Sequence, residues 1–537
     1  MKSPSIAISV PNTRATVLIT LLVLLFTLPG LIGHDPWKQD EAYVFGIVWH
    51  MVQSNDYIVP VLANEPFMEK PPLYYYVAAL SLHTFSRWLP PHDAARLATG
   101  FFMLVTLLCI GLAGRELWDA ARGRMAVLLL LGSAGLIDHA HEMITDMALL
   151  TGFAVGIYGL ALTRRLWLSG GLLVGTGVGM GFLAKGLIAP GVLGISALLL
   201  PLVARDWRHR NYTAALLLAA VATLPWLLIW PVLLYERSPE LFKIWLWDNN
   251  FGRYLGFAHL GAERSNWSDY LEILVWQAWP TGLLSIIGVW QGRWIGLASG
   301  ATRLLLVLIG VLLLVLDAAA VERDLYSLPV LLPLALLGAP AVTRLPALLD
   351  RGLTACSILL FTMSAVFVWS VWLYIVIYNV PPAWHQLDGR LPLDFHLHFA
   401  GLPFTVALAL SLGWLVALWQ LRATTVRAVS AWTLGLTLLW GLLATLWLPW
   451  IDAAKSYRSM ISDLQYALPS QYTCIASLQF GECERGMLDY LTGIVTHRLE
   501  KEPDANCDLL LIRKGRRERA NPAPGSQWQP IWEGGRP

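Results

Sequence analysis

Four charged residues stand out in a chain otherwise crowded with apolar runs. Asp40 and Glu41 lie in the segment QDEAYVFG, and Glu69 and Lys70 lie in NEPFMEKPPLYYY. Charged side chains at mid-membrane cost ~2.5–3.5 kcal/mol each, and those that persist tend to be functional. The prolines around Lys70 exclude a regular helix and place it on a constrained turn. A lysine on such a turn needs an anionic partner, and a phosphate headgroup suits it.

Two further charged residues follow later in the chain. Asp146 lies in TDMALL, where it places a carboxylate at the predicted start of an apolar helix. Arg253 lies in DNNFGRYLG between Gly252 and Tyr254, and its guanidinium suits a bidentate phosphate contact. We therefore predict that these segments together hold the charged end of a lipid-linked substrate at the membrane surface.

Each position also has a purely structural interpretation. The first acidic pair suits the positive end of a helix dipole, which is worth ~0.3–1 kcal/mol. Glu69 and Lys70 can form a surface ion pair with anionic lipid nearby. Thr145 or Asp146 can simply cap a helix. The sequence alone leaves both interpretations open at each position.

The elements that carry these residues belong to an integral membrane protein. The 537 residues are 56% hydrophobic and 14% charged, with a mean hydropathy of +0.56, whereas a soluble domain is about 25% charged. The 26 tryptophans suit the aromatic belts at the lipid–water boundary. A net charge of +2 without a basic block argues against nucleic acid as a partner. Membrane lipids are the partners that this composition implies.

Apolar runs long enough to cross a bilayer predict about 13 transmembrane helices. They lie at 15–32, 94–113, 125–137, 147–163, 168–184, 186–204, 213–234, 271–291, 303–318, 325–342, 353–378, 401–420 and 429–448. No cleavage site follows the first run, so we interpret it as a retained helix.

Arginines are distributed unequally over the connections between these runs. Fourteen lie on one side, and the short connections on the other side carry only Lys185, Arg323 and Arg390. The positive-inside rule then predicts a cytoplasmic N-terminus and a C-terminus outside. The long outer loops are 33–93, 235–270 and 379–400.

The C-terminal residues 449–537 predict a small soluble α/β domain on the outer face, separate from a transmembrane domain of residues 1–448. Helical spacing recurs at 454–468 and 484–494, and strand patterns at 472–479 and 507–515. The domain has no Gly-rich phosphate loop, so we assign it no chemistry. Outside the cytoplasm one disulfide is expected among Cys474, Cys483 and Cys507, and the sequence does not say which pair forms it.

Taken in order, several segments resemble the membrane-embedded glycosyltransferases that use polyprenyl-phosphate sugars. They are DEA, EPFMEKPPLYYY, TDMALL, FLAKGLIAPGV, NNFGRYLG and DLYSLPVLLPLALL. The resemblance is to the GT-C type, in the branch of the aminoarabinose transferases of lipid A and the protein O-mannosyltransferases. It covers residues 15–345, and EKPPL is its most specific part. It implies an all-α polytopic fold with interfacial helices on the outer face, in a bacterial inner membrane with a periplasmic C-terminal domain.

The resemblance also implies roles for single residues. The catalytic residues are Asp40 and Asp146, the donor phosphate contacts are Lys70, Arg253 and Tyr326, and the supporting residues are Glu41 and Glu69. The pattern departs at Tyr43, where members often carry an arginine. Some members hold a metal through the glutamate before the lysine and a later histidine. Glu69 and His259 are the weak candidates here, so no cofactor is certain and a divalent metal remains open.

The implied reaction moves a sugar from polyprenyl phosphate to an envelope lipid, glycan or protein, with inversion in a single displacement. Lys70 and Arg253 would stabilise the phosphate as its bond breaks. Asp40 first, or Asp146 second, would take the proton of a hydroxyl acceptor. With a phosphate acceptor no base is needed, and Asp40 would orient the nucleophile.

A flippase or transporter of lipid-linked sugars is the main alternative. Such proteins usually contain internal repeats, and none is visible here. A glycan ligase of another membrane fold would not need EKPP, and a structural scaffold explains neither Lys70 nor Asp146.

Overall fold

A computed structural model describes residues 13–252, 255–256, 275–317, 324–378, 399–422, 424–514 and 528–535. Its helices are α1 Thr13–Thr27, α2 Gln39–Ser54, α3 Leu73–Phe85, α4 Pro91–Leu117, α5 Ala120–Leu131, α6 Ala134–His139, α7 Thr145–Leu162, α8 Trp167–Lys185, α9 Ile188–Val203, α10 Arg210–Arg237, α11 Pro239–Lys243, α12 Thr281–Ala298, α13 Gly300–Asp317, α14 Leu331–Gly338, α15 Ala347–Tyr378, α16 Gly401–Leu421, α17 Arg427–Leu442, α18 Leu448–Lys455, α19 Arg458–Ala467 and α20 Glu482–Thr492. The strands are β1 Val61–Leu62, β2 Glu65–Pro66, β3 Ile475–Leu478, β4 His497–Arg498 and β5 Leu509–Ile512. Short 3₁₀-helical segments lie at 205–207, 324–330 and 342–344, and π-helical segments lie at 244–252 and 443–447.

The chain is a mostly helical, polytopic membrane protein. Within the described residues, eight helices are long and apolar enough to cross a membrane, fewer than the 13 predicted. The other five predicted runs contain the shorter helices α1, α5, α9, α12 and α14. Two causes of shortening are visible. Helix α1 ends at Thr27, two residues before Pro29, and the segment before α14 is a 3₁₀ turn that contains Pro329.

Helix α7 lies at the centre of the bundle, and almost all of its side chains are buried. It packs against α8 through glycines, as is common where membrane helices approach closely. A Cβ on Gly177 of α8 would lie 2.4 Å from the backbone nitrogen of Gly156 on α7. Because Asp146 is the second residue of α7, this close packing brings the carboxylate to the end of α8.

The C-terminal residues form a three-stranded parallel sheet in the order β4-β3-β5, with helices α19 and α20 beside it. Both helices and the two longer strands lie where the sequence predicts them. The expected disulfide joins Cys474 to Cys507, and Cys483 is a buried free thiol. The division of the chain into two domains at residue 449 remains a prediction.

The C-terminal segment is attached to the first loop by close packing and by charge. Helix α20 packs on α2 where Gly486 faces Gly46, and a Cβ on Gly46 would lie 3.1 Å from the Cα of Gly486. Glu65 of strand β2 accepts ion pairs from Arg485 at 3.1 Å, Arg498 at 3.0 Å and Lys501 at 2.7 Å. These contacts fix the β1–β2 hairpin, which leads directly into the turn that carries Glu69 and Lys70.

Candidate active site

Lys70 lies on a short turn between two fixed elements. The antiparallel β1–β2 hairpin precedes it, and its two turn residues, Ala63 and Asn64, have positive φ angles. The double proline after it opens helix α3. The Lys70 side chain is buried, and its Nζ lies 3.7 Å from Oε1 of Glu69. The pair is therefore a partly enclosed one rather than the surface pair that the sequence left open.

Asp40 and Glu41 are neighbours on the first turn of α2 with very different surroundings. Glu41 is 1% exposed and accepts a hydrogen bond from Nε of Arg96 at 2.6 Å. Arg96 is itself fully buried and also binds Asp93 at 2.6 Å. Glu41 thus belongs to a buried ion cluster that ties α2 to α4. Asp40 is partly exposed, and its charge acts on Tyr43, Tyr75 and Glu482.

Asp146 does not cap its helix. No side-chain hydrogen bond caps α7, and the Asp146 carboxylate instead forms an ion pair with Nζ of Lys185 at the end of α8. The same Nζ lies 3.9 Å from the centre of the Tyr326 ring, in a cation–π contact. Three segments that are remote in sequence therefore meet here, and two of their residues, Asp146 and Tyr326, were predicted site residues.

The charges of three predicted site residues, Asp40, Glu69 and Asp146, all act on the Tyr43 side chain. Its ring stacks on Phe67 at 5.3 Å and is buried. Burial raises the pKa of the Tyr43 hydroxyl well above its usual value, and the charges of Asp40, Glu69 and Asp146 raise this pKa further. The three carboxylates from α2, the EKPP turn and α7 therefore all lie close enough to Tyr43 for their charges to act on its neutral phenol.

The sequence did not indicate three residues that the structure adds to the site. The Lys185 side chain is 5% exposed where it pairs with Asp146, and it lies close enough to Lys70 for their charges to interact. Glu482 begins helix α20 of the C-terminal segment; burial raises the pKa of Glu482, and the carboxylates of Glu69 and Asp40 add to this rise. Tyr75 of α3 lies among the same carboxylates. The FLAKG and EKPPLYYY segments contain Lys185 and Tyr75, but no role for either residue followed from the sequence.

Arg253 and His259 lie outside the described residues. The segment that leads to Arg253 nevertheless reaches the site, because a Cβ on Gly186, directly after Lys185, would collide with Oδ1 of Asn250. Among the described residues, the single group with metal-ligand spacing is Cys474, His497 and Cys507, and its two cysteines form the disulfide. Of the two metal candidates, Glu69 and His259, the structure describes only Glu69.

Comparison with known proteins gives a family match for part of the chain. The family described as dolichyl-phosphate-mannose-protein mannosyltransferase matches residues 69–235, which include the EKPP turn, Asp146 and Lys185. The matched residues are fewer than half of the chain. The resemblance seen in its motifs is thereby confirmed, and it extends to distant homology with the aminoarabinose transferases.

Two such relatives carry the description undecaprenyl phosphate-alpha-4-amino-4-deoxy-L-arabinose arabinosyl transferase. The one from Pectobacterium carotovorum subsp. carotovorum (strain PC1) is 29% identical over 373 residues, which are 67% of this chain and 64% of the relative. The one from Pseudomonas aeruginosa (strain UCBPP-PA14) is 31% identical over 363 residues, which are 64% of this chain and 63% of the relative. The match thus spans just under two thirds of the length of these relatives.

The fold has a close counterpart among solved structures. The crystal structure of ArnT from Cupriavidus metallidurans bound to undecaprenyl phosphate aligns with a TM-score of 0.68 and 18% identity. The alignment covers 93% of this chain and 90% of that chain, and the apo state gives a TM-score of 0.65. The chain therefore has the ArnT-like fold over almost its whole length.

Proposed function

We propose that the protein is a glycosyltransferase that moves a sugar from a polyprenyl-phosphate donor to an acceptor of the cell envelope. The observation that carries this proposal is the buried Lys70 on the proline turn, 3.7 Å from a carboxylate oxygen of Glu69. The charge of Glu69 acts on the Tyr43 hydroxyl together with the charges of Asp40 and Asp146. A buried cation beside carboxylates matches a substrate in which a phosphate leaves and a nucleophile arrives. The family match over residues 69–235 and the ArnT-like fold support the same assignment.

In the proposed reaction an acceptor oxygen attacks the anomeric carbon of the sugar. The bond from that carbon to the phosphate oxygen breaks, and the phosphate leaves with the electron pair. Lys70 stabilises the charge on the leaving phosphate, and Arg253 is proposed to do so as well. When the acceptor is a hydroxyl, its proton passes to a carboxylate. A single displacement of this kind inverts the anomeric centre.

Asp40 is the better candidate for the base. Asp146 is buried and engaged by Lys185, so its lone pairs are already committed to a cation. Asp40 is partly exposed at the start of α2, where an acceptor can approach it. We therefore assign proton transfer to Asp40, and assign to Asp146 the electrostatic support of the site.

We further propose that the site faces the outside of a bacterial inner membrane. The disulfide between Cys474 and Cys507 supports this orientation, because disulfides persist in oxidising compartments. The arginine bias over the connections supports it independently. The acceptor is then an envelope lipid such as lipid A, a glycan or a protein.

The test compares Asp40→Asn and Lys70→Ala with the parent, using radiolabelled polyprenyl-phosphate sugars and a panel of envelope acceptors. Asp40→Asn should lower kcat by about 10²–10⁴-fold while it still binds donor. Lys70→Ala should raise the KM for donor. Lys243→Ala, which removes an exposed lysine of α11, is the matched control and should behave like the parent. If both site variants turned over like the parent, the assignment would fail and a lipid-sugar flippase would become the better hypothesis.

A further inference from the structure

Three consecutive tyrosines follow the EKPP turn on helix α3, and two of them have evident structural roles. The hydroxyl of Tyr74 hydrogen-bonds with Oγ1 of Thr99 at 2.6 Å. The hydroxyl of Tyr76 donates to the carbonyl of Tyr57 at 2.7 Å. Each of these bonds ties α3 to a neighbouring segment, so both hydroxyls contribute to the fold.

The hydroxyl of Tyr75 is different. Its side chain is fully buried, and the hydroxyl has no hydrogen-bond partner among the described residues. A buried hydroxyl that is left unpaired destabilises a folded protein, and natural proteins contain few such groups. Phenylalanine would fill the same space without this cost. The fold therefore gives no reason for a hydroxyl at this position.

The position of Tyr75 supplies a functional reason. It lies five residues after Lys70, on the helix that the turn opens. Burial raises the pKa of the Tyr75 hydroxyl well above its usual value, and the charges of Glu69, Glu482 and Asp40 raise this pKa further. The hydroxyl is therefore a neutral donor among carboxylates of the site. Asp40 and Glu69 are partly exposed, so this part of the site is accessible to a ligand.

A sugar hydroxyl matches such surroundings because it is both donor and acceptor. It can accept a hydrogen bond from a phenol and donate one to a carboxylate at the same time. A phosphate suits this point less well than a sugar hydroxyl, because the charges that act on Tyr75 are those of three carboxylates. At Lys70, in contrast, the side chain itself supplies a positive charge.

We propose that the Tyr75 hydroxyl binds the sugar of the donor, by donating a hydrogen bond to a sugar hydroxyl that also contacts a neighbouring carboxylate. This proposal rests on the proposed glycosyltransferase function. It separates the donor site into a phosphate part at Lys70 and a sugar part at Tyr75. Such a site rejects a ligand that lacks the matching hydroxyl, because the buried polar groups are then left unpaired.

The test uses Tyr75→Phe, with Tyr74→Phe as the matched control on the same helix. Two probes are compared on the full-length purified protein: undecaprenyl phosphate, and undecaprenyl phosphate that carries 4-amino-4-deoxy-L-arabinose. Tyr75→Phe should weaken binding of the sugar-bearing probe about tenfold and leave binding of undecaprenyl phosphate unchanged. Its midpoint of thermal unfolding should equal or exceed that of the parent. Tyr74→Phe should lower the midpoint and bind both probes like the parent.

Two results would overturn the proposal. The first is equal affinity of parent and Tyr75→Phe for the sugar-bearing probe. The second is a midpoint for Tyr75→Phe as low as that of Tyr74→Phe, since the hydroxyl would then have a structural partner. Failure of the underlying function looks different, because the parent would then transfer no sugar from the donor, whether or not it binds the two probes.

Discussion

Two adjacent carboxylates of the DEA segment should respond to mutation in opposite ways. Asp40→Asn should abolish sugar transfer and leave stability nearly unchanged, because Asp40 is partly exposed and the amide keeps its shape. Substitutions outside a buried network usually change stability by about 0.5 kcal/mol or less. Glu41→Ala should instead destabilise the protein, because Glu41 is the buried partner of Arg96.

The size of the Glu41 effect follows from the cluster around Arg96. Removing one partner of a buried ion pair costs about 3–5 kcal/mol. Arg96 keeps its bond to Asp93 and its bonds to the carbonyls of Leu31 and His34, so the lower end of this range applies. We expect Glu41→Ala to lose about 3 kcal/mol. Glu41→Gln retains an oxygen that can accept from Arg96 and should lose clearly less.

The assay combines thermal unfolding of the purified variants in detergent with turnover of donor at a temperature where all of them are folded. Under those conditions Glu41→Gln should retain activity and Asp40→Asn should not. The reasoning is refuted if Glu41→Ala unfolds at the parent temperature, or if Glu41→Gln is as inactive as Asp40→Asn while fully folded. Either result would mean that the roles of the two neighbours are not separated in this way.

Two further predictions concern charges that join distant segments. Lys185→Met should lower both stability and kcat, because it leaves the Asp146 carboxylate buried without its cation. Lys185→Arg should retain more stability and more activity than Lys185→Met. The double variant Lys185→Met with Asp146→Asn should regain stability but not activity. Glu65 should make stability fall in acid. Although burial raises the pKa of Glu65, the hydrogen bond from Lys501 and the charge of Arg485 bring this pKa below its usual value of 4.5, so the stabilisation is present above pH 4.5 and is lost as the pH falls below it. The difference between the thermal unfolding midpoints at pH 7 and pH 4 should therefore be smaller in Glu65→Gln than in the parent. An equal difference in the two proteins would contradict the assignment.

Much of the local structure could be predicted because it depends on neighbours in sequence. The proline turn around Lys70, the start of α7 next to Asp146 and the strands of the C-terminal sheet all follow from short patterns. Eight helices of the described residues, against 13 predicted runs, are long and apolar enough to span a membrane, because apolar composition does not show where a helix ends. The 3₁₀ turn before α14, which contains Pro329, is one such end.

The contacts of the site could not be predicted, because they join residues that are far apart in the chain. Asp146 and Lys185 are separated by 39 positions, and Glu41 and Arg96 by 55. Nothing near Glu41 in the sequence distinguishes its buried cluster from the open surroundings of Asp40. The sequence also could not show that the Tyr75 hydroxyl is unpaired. Tyr74 and Tyr76 beside it are the same residue type, yet each of their hydroxyls has a hydrogen-bond partner.

The contact between Gly46 and Gly486 has a consequence for how such proteins can diversify. Two helix backbones meet there with no side chain between them, and Leu62 of strand β1 fills the space beside both glycines. A C-terminal segment grafted from a relative would therefore have to bring a residue as small as glycine to the same spot. Exchanges in chimaeric proteins should succeed only when α2, the β1–β2 hairpin and α20 travel together. We expect these three pieces to be exchangeable only as one unit, although α20 lies more than 400 residues after the other two along the chain.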